Sequence, residues 1–148
     1  MSAPSDTTYS GSCHCGHVKY KIDLPADPTT WELYKCNCTI CLKKGYLSLK
    51  ANDGETFTLV SPASLEEVGD YTFGSRAMHH RFCKNCGTSV FARGWIEEAG
   101  GDWLSINVQS LDDVDFSKTE MKAKKYWDGR AEKWLEGPKS EPTAPGMW

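Results

Sequence analysis

Short runs of alternating polar and apolar residues, turn signals between them, and only one weak helical pattern predict a mainly β fold. The closest general form is a sandwich or barrel of short strands. Val18, Tyr20 and Ile22 alternate with Lys19 and Lys21, the period-two pattern of a half-buried strand. The stretch Pro25 to Pro28 ends it. Leu47, Leu49 and Ala51 repeat the pattern, and Asn52-Asp53-Gly54 marks the next turn. Phe57 and Leu59 form a further short run, closed by Ser61-Pro62. Ser64 to Gly69 can hold one helical turn. After Gly74-Ser75, Met78, His80 and Phe82 fall on one strand face and His79 and Arg81 on the other. Gly100-Gly101 precedes the last run, Leu104, Ile106 and Val108. From Asp112 to Trp134 the chain is charged, with Tyr126, Trp127 and Trp134 as anchors.

A chain of 148 residues is long enough for one domain. We expect it over residues 10–136. The small polar residues 1–9 read as a disordered leader, and residues 137–148, with Pro138, Pro142 and Pro145, as a tail that frays. The net charge of −3 argues against nucleic acid as a partner. Lys122, Lys124 and Lys125 form the one basic run, and it reads as a solvated face. No stretch approaches the roughly 18 consecutive apolar residues of a membrane span, and the first residues lack the apolar core of a signal peptide. The expected location is therefore the cytoplasm, with the nucleus as the other choice. Thiols stay reduced there, and seven cysteines could not all pair as disulfides.

The cysteines fall into three local groups. Cys13 and Cys15 form C-x-C, Cys36, Cys38 and Cys41 form C-x-C-x-x-C, and Cys83 and Cys86 form C-x-x-C followed by Gly87. Zinc prefers tetrahedral thiolate coordination with ligands that arrive as close pairs from distant segments. In an extended C-x-C both sulfurs point to the same side. In C-x-x-C-G a tight turn gathers two sulfurs, and Gly87 suits a backbone position with positive φ. Cys13, Cys15, Cys83 and Cys86 then make a closed site of the structural kind, one that shuts a long loop. Cys36, Cys38 and Cys41 supply three thiolates and leave one position open, the mark of a catalytic zinc. The trio could also be a second structural site completed by His79 or His80, or a set of free thiols. Soft thiolate sites take iron–sulfur clusters as well as zinc, and zinc is the reading adopted.

These residues resemble a known family. Gly11-Ser12-Cys13-His14-Cys15-Gly16 with Val18 and Tyr20, then Cys36-Asn37-Cys38-Thr39-Ile40-Cys41, then Arg81-Phe82-Cys83-Lys84-Asn85-Cys86-Gly87-Thr88 and Phe91, look like the glutathione-dependent formaldehyde-activating enzymes. Ser110-Leu111-Asp112-Asp113 and the late Trp127 and Trp134 fit the same family. The resemblance implies a β-tent fold of mainly antiparallel, zinc-bearing sheets. It implies two zinc ions per chain, structural at Cys13, Cys15, Cys83 and Cys86 and catalytic at Cys36, Cys38 and Cys41. It also implies a carbon–sulfur lyase that joins glutathione to formaldehyde as S-(hydroxymethyl)glutathione. Asn37 and Leu42 depart from the family's enzyme branch, where His and Arg or Gln are common. The run Cys38-Thr39-Ile40-Cys41-Leu42-Lys43-Lys44 is closer to the centromere protein V branch. The departures leave the metal ligands in place and bear on the thiol and the aldehyde.

A thiol is a weak nucleophile while protonated, and binding to zinc deprotonates it. Three thiolates already neutralise the dication, so positioning thiol beside aldehyde counts for more than polarising the carbonyl. The oxygen of the adduct needs a proton, for which His79, His80, Tyr46 and Tyr34 are the candidates by sequence. Lys35, Lys43 and Lys44 flank the trio and either bind a tripeptide's carboxylates or are plain solvated lysines. The alternative functions are a non-enzymatic zinc module of the centromere protein V type and a thiol-based redox or metal sensor.

Overall fold

The computed structural model describes residues 6–51, 54–118, 120–146 and 148. The expected turn at Asn52-Asp53 lies outside the described residues. The fold is mainly β, in two sheets. The smaller has three strands in the order β1 (Asp6–Ser12), β2 (Lys19–Pro25), β5 (Thr58–Ser61), all antiparallel. The larger has seven, β10-β3-β4-β9-β8-β7-β6. Its members are β3 (Tyr34–Cys36), β4 (Ser48–Lys50), β6 (Gly69–Tyr71), β7 (Met78–Phe82), β8 (Ser89–Ile96), β9 (Gly101–Asn107) and β10 (Lys125–Trp127). Every pair is antiparallel except β10–β3, which is parallel with Trp127 opposite Cys36.

The alternation in β2 is realised as drawn, with Tyr20, Ile22 and Leu24 buried and Lys19 and Lys21 exposed. These side chains meet Trp31, Leu33, Leu104 and Ile106 in one core between the sheets. An isolated bridge between Gly11 and Leu111 and the hydrogen bond of Tyr20 Oη with Ser110 Oγ, at 2.7 Å, tie the small sheet to the end of β9. The turn expected at Ser64 is a 3₁₀ turn over Leu65–Glu67, held by a capping box.

Two expectations about the ends of the chain are corrected. Residues 6–9, assigned to a leader, begin β1, whose register with β2 runs from Asp6–Pro25 to Ser12–Lys19. The segment is polar because pairing with β2, and not its own burial, makes it a strand. The tail does not fray at Lys139. The N–H and C=O of Lys139 both bond to Tyr126, each at 2.8 Å, and Trp148 packs edge-on against the Tyr126 ring. The tail thereby covers the β10 edge, whose backbone groups would otherwise be unpaired. Among the described residues no helix is long and apolar enough to cross a membrane.

Gly11 lets β1 pass close over the core. A Cβ there would lie 2.2 Å from the Tyr20 ring, and that ring is buried and fixed through its hydroxyl. Gly11→Ala is therefore expected to destabilise the fold by about 1–3 kcal/mol, the usual range for overpacking. Urea unfolding checks this, and an unchanged midpoint would show that the ring moves freely.

Candidate metal centre

Two loops build the first sulfur cluster. Cys13 and Cys15 lie in the connection between β1 and β2, and Cys83 and Cys86 in the connection between β7 and β8. Gly87, at φ +80°, closes the second loop as its sequence position predicts. All four Sγ atoms lie within 4.8 Å of one another. The pairs Cys13–Cys15 and Cys15–Cys83 are each 3.7 Å apart. That is far beyond a disulfide bond and matches the edge, about 3.8 Å, of a tetrahedron with metal–sulfur bonds of ~2.3 Å. Donors surround the sulfurs. Val18 N–H reaches Cys13 Sγ at 3.2 Å, Asn85 Nδ2 reaches Cys15 Sγ at 3.2 Å, and Asn85 N–H reaches Cys83 Sγ at 3.3 Å. The Asn85 amide draws the Cys15 thiol below its usual range, and the Thr88 hydroxyl draws Cys86 down to about 5. Burial pushes Cys83 up to about 11. Hydrogen bonds to anionic sulfur in a closed tetrahedron suit a metal that needs thiolates and no further ligand.

The second cluster sits at the start of α1 (Thr39–Lys44), the one α-helix among the described residues. Cys36 ends β3, Cys38 is the N-cap residue and Cys41 lies in the helix, so a strand-to-helix turn gathers all three sulfurs within 4.8 Å. The helix has six residues and none is buried, which leaves no amphipathic pattern to read in the sequence. Sulfur hydrogen bonds from Cys36 and Cys41 bring the Cys38 thiol down to about 3. The contact with Cys38 pushes Cys36 up to about 11, and the contacts with Cys36 and Cys38 push Cys41 higher still. Three touching thiols cannot all ionise unless a cation shares their charge, so the donor set fits a soft divalent ion. Among the described residues no histidine or carboxylate joins this cluster. His79 and His80 therefore do not complete it.

Asn37 holds the wall behind the trio. It is fully buried, donates from Nδ2 to Asp128 Oδ1 at 2.9 Å and to the Thr143 carbonyl at 3.3 Å, and accepts at Oδ1 from Arg130 N–H at 2.8 Å. Gly129, in the same loop, lies so close that a Cβ would stand 2.7 Å from Cys36 Sγ. The sequence marked Asn37 only as a departure from a family pattern. Its partners lie at least 91 positions away in sequence and gave no local signal.

The proton-donor candidates separate. His79 is partly exposed and tied at Nδ1 to Asp70, 2.9 Å away, on the face of β7 opposite His80. His80 is buried, and burial first and the Lys44 charge second lower its pKa, so it is neutral. Its ring stacks between those of Tyr46, at 6.4 Å, and Phe73, at 5.6 Å. Burial pushes Tyr46 up to about 12, and the charges of Cys41 and Cys38 act in the same direction. Tyr34 is also pushed up to about 12 by burial, with Cys41 and Cys36 adding to the effect. Tyr46 and Tyr34 thus both stand within electrostatic reach of the trio. Lys44 donates to Ser89 Oγ at 3.3 Å and lies over the Phe82 ring, whereas Lys43 is exposed and Lys35 is half-buried on β3.

Sheets of this kind, with one closed four-sulfur cluster and one three-sulfur cluster, define a mainly β protein equipped to hold metal through cysteine. The model of the glutathione-dependent formaldehyde-activating enzyme family matches residues 8–134, and the chain belongs to that family. The fold is shared with a crystal structure of a Rhodobacter sphaeroides protein solved as a structural genomics target. The two are 24% identical, with a TM-score of 0.63, over 80% of this chain and 98% of that one.

The two clusters join the fold differently, one across two distant loops and one within a single turn, and cysteine variants test what that means for stability. Cys83→Ser opens the cluster that joins two distant loops. Structural zinc is worth roughly 10 kcal/mol or more in small domains, as much as a whole domain's stability of about 5–15 kcal/mol. The variant should be unfolded or insoluble. Cys38→Ser, within one short turn, should lose metal yet keep a cooperative thermal transition. Melting curves with metal analysis decide, and the reverse pattern would exchange the two roles.

Proposed function

We propose that this chain is a zinc-dependent enzyme of the carbon–sulfur lyase type that joins a small thiol to a small aldehyde at Cys36, Cys38 and Cys41. The observation that carries the reading is the pairing of a complete sulfur tetrahedron with a second cluster one ligand short. A zinc ion held by the trio would supply a position at which an incoming thiol is bound as its thiolate. Family membership supports glutathione as the thiol and formaldehyde as the aldehyde. In the net reaction the thiol sulfur bonds to the carbonyl carbon, the carbonyl π bond breaks, and the oxygen takes up the proton that the sulfur gave up.

The chain's own residues position this chemistry. The β3–α1 turn fixes three sulfurs, and Asn37 fixes the Trp127–Arg130 loop against them. Tyr46, His80 and Tyr34 all stand near enough to the trio to feel the charge of its sulfurs. Cys13, Cys15, Cys83 and Cys86 would hold a second, structural zinc. The cytoplasm, where glutathione is abundant and thiols stay reduced, is the compartment that suits this reaction.

Two measurements test the proposal. Reduced, zinc-replete protein should carry about two zinc ions per chain, from one closed and one open thiolate site. NMR of glutathione and formaldehyde mixed with that protein should show the hydroxymethyl adduct equilibrating faster than in buffer alone. One inert zinc with Cys36, Cys38 and Cys41 all open to alkylation, and no rate effect with any thiol and aldehyde, would favour a non-enzymatic binding module.

A further inference from the structure

A cavity of about 420 Å³ opens where the end of β2 meets the large sheet at β3, β4, β9 and β10. The reaction proposed above makes no use of it. Its wall on the large sheet is aromatic. Trp103 on β9 and Trp127 on β10 meet edge to face, with ring centroids 6.3 Å apart and planes at 76°, and Tyr34 on β3 adds a third ring. Rings set at this angle form a corner against which a further ring packs by edge or offset contact.

Two ammonium groups share the same wall. Lys50 Nζ stands 4.9 Å from the centroid of the Trp103 ring, and Lys125 lies opposite Tyr34 in the β10–β3 pairing. Both lysines are half-buried, and neither has an ion pair among the described residues. Three acids, Asp6, Asp23 and Glu32, also line the cavity, yet all stand outside ion-pair distance of the two lysines. Asp6 and Glu32 are exposed, and Asp23 accepts from the Thr8 hydroxyl. Water and salt screen the exposed carboxylates. The half-buried ammonium groups are the charges left without a match.

We propose that this cavity is a binding site for a small aromatic carboxylate, with its ring against Trp103 and Trp127 and its acid group between Lys50 and Lys125. The volume lies within the range of about 300–1,000 Å³ for small-molecule sites, in which apolar walls hold the ligand body and a few polar groups orient it. A carboxylate offers two oxygens, one for each ammonium. An aliphatic acid lacks the ring contacts. An aromatic amine would be repelled by the lysines and held only by the outer acids. The site uses neither metal nor sulfur, so it stands independently of the reaction proposed at Cys36, Cys38 and Cys41.

Its test is calorimetric titration of the full-length, zinc-loaded protein with 3-phenylpropionate, 3-phenylpropan-1-ol, 3-cyclohexylpropionate and 2-phenylethylamine. The aromatic acid should bind with a Kd of about 1 mM or below, as suits a ligand of its size. It should bind at least about tenfold more tightly than the alcohol and the amine, and about threefold more tightly than the cyclohexyl acid. Lys50→Met combined with Lys125→Met should erase the preference for acid over alcohol and leave the alcohol unchanged. Methionine keeps an apolar stem on the Trp103 ring, and both lysines are partly exposed, so this variant keeps the fold. Trp103→Leu should weaken acid and alcohol alike. No heat with any of the four, equal affinity for acid and alcohol, equal affinity for the two acids, or a preference for the amine would overturn the site. So would acid binding that survives the lysine variant, because the carboxylate then sits elsewhere, on a metal ion or on the surface.

Discussion

The junction of four sulfurs from Cys13, Cys15, Cys83 and Cys86 brings together the hairpin of the small sheet and a hairpin of the large one. These loops are about half the chain apart, and the sulfurs stand at tetrahedral spacing without a covalent bond between them. The β1–β2 hairpin otherwise meets the large sheet through the shared core, the Tyr20–Ser110 hydrogen bond and the Gly11–Leu111 bridge. A metal clip across this seam gains because it closes a long loop. Once the seam is closed, β7 and β8 are fixed, and with them His80 and Ser89 beside the second cluster.

The trio depends on a different kind of support. Its sulfurs come from six consecutive positions, 36–41, so a metal held there would tie no distant segments together. What it needs is a rigid wall. Asn37 supplies this by joining the turn to Asp128, Arg130 and Thr143 through buried hydrogen bonds. A buried amide with three such partners is fixed in one orientation. The Asn37 amide also draws the Asp128 carboxyl below its usual range, which keeps the acceptor ionised. The tail is part of the same wall, through Thr143 and through the pairing of Lys139 with Tyr126.

Much of this was legible in the sequence because it is local. C-x-C and C-x-x-C-G place sulfurs together within a few residues, so the division into four and three could be drawn before any coordinates. Strands covered on one face, β2 and β7, announced themselves by alternation. β8 did not, because Val90, Phe91 and Ala92 are all buried in succession and leave no alternating pattern. β1 was hidden by its small polar residues, and the tail by its prolines, since both owe their order to distant pairing partners. Nor could sequence separate His79 from His80. Alternation put them on opposite faces, but which face meets the trio is decided by how β7 lies against Tyr46.

The division between a closed and an open sulfur site is the claim on which the functional account stands. Cadmium NMR of the protein loaded with cadmium-113 tests it most directly, because the shift reports the sulfur count around each ion. The account predicts two resonances, of which one stays fixed when glutathione is added and the other moves as a fourth sulfur enters. A single resonance, or two that no small thiol displaces, would contradict it.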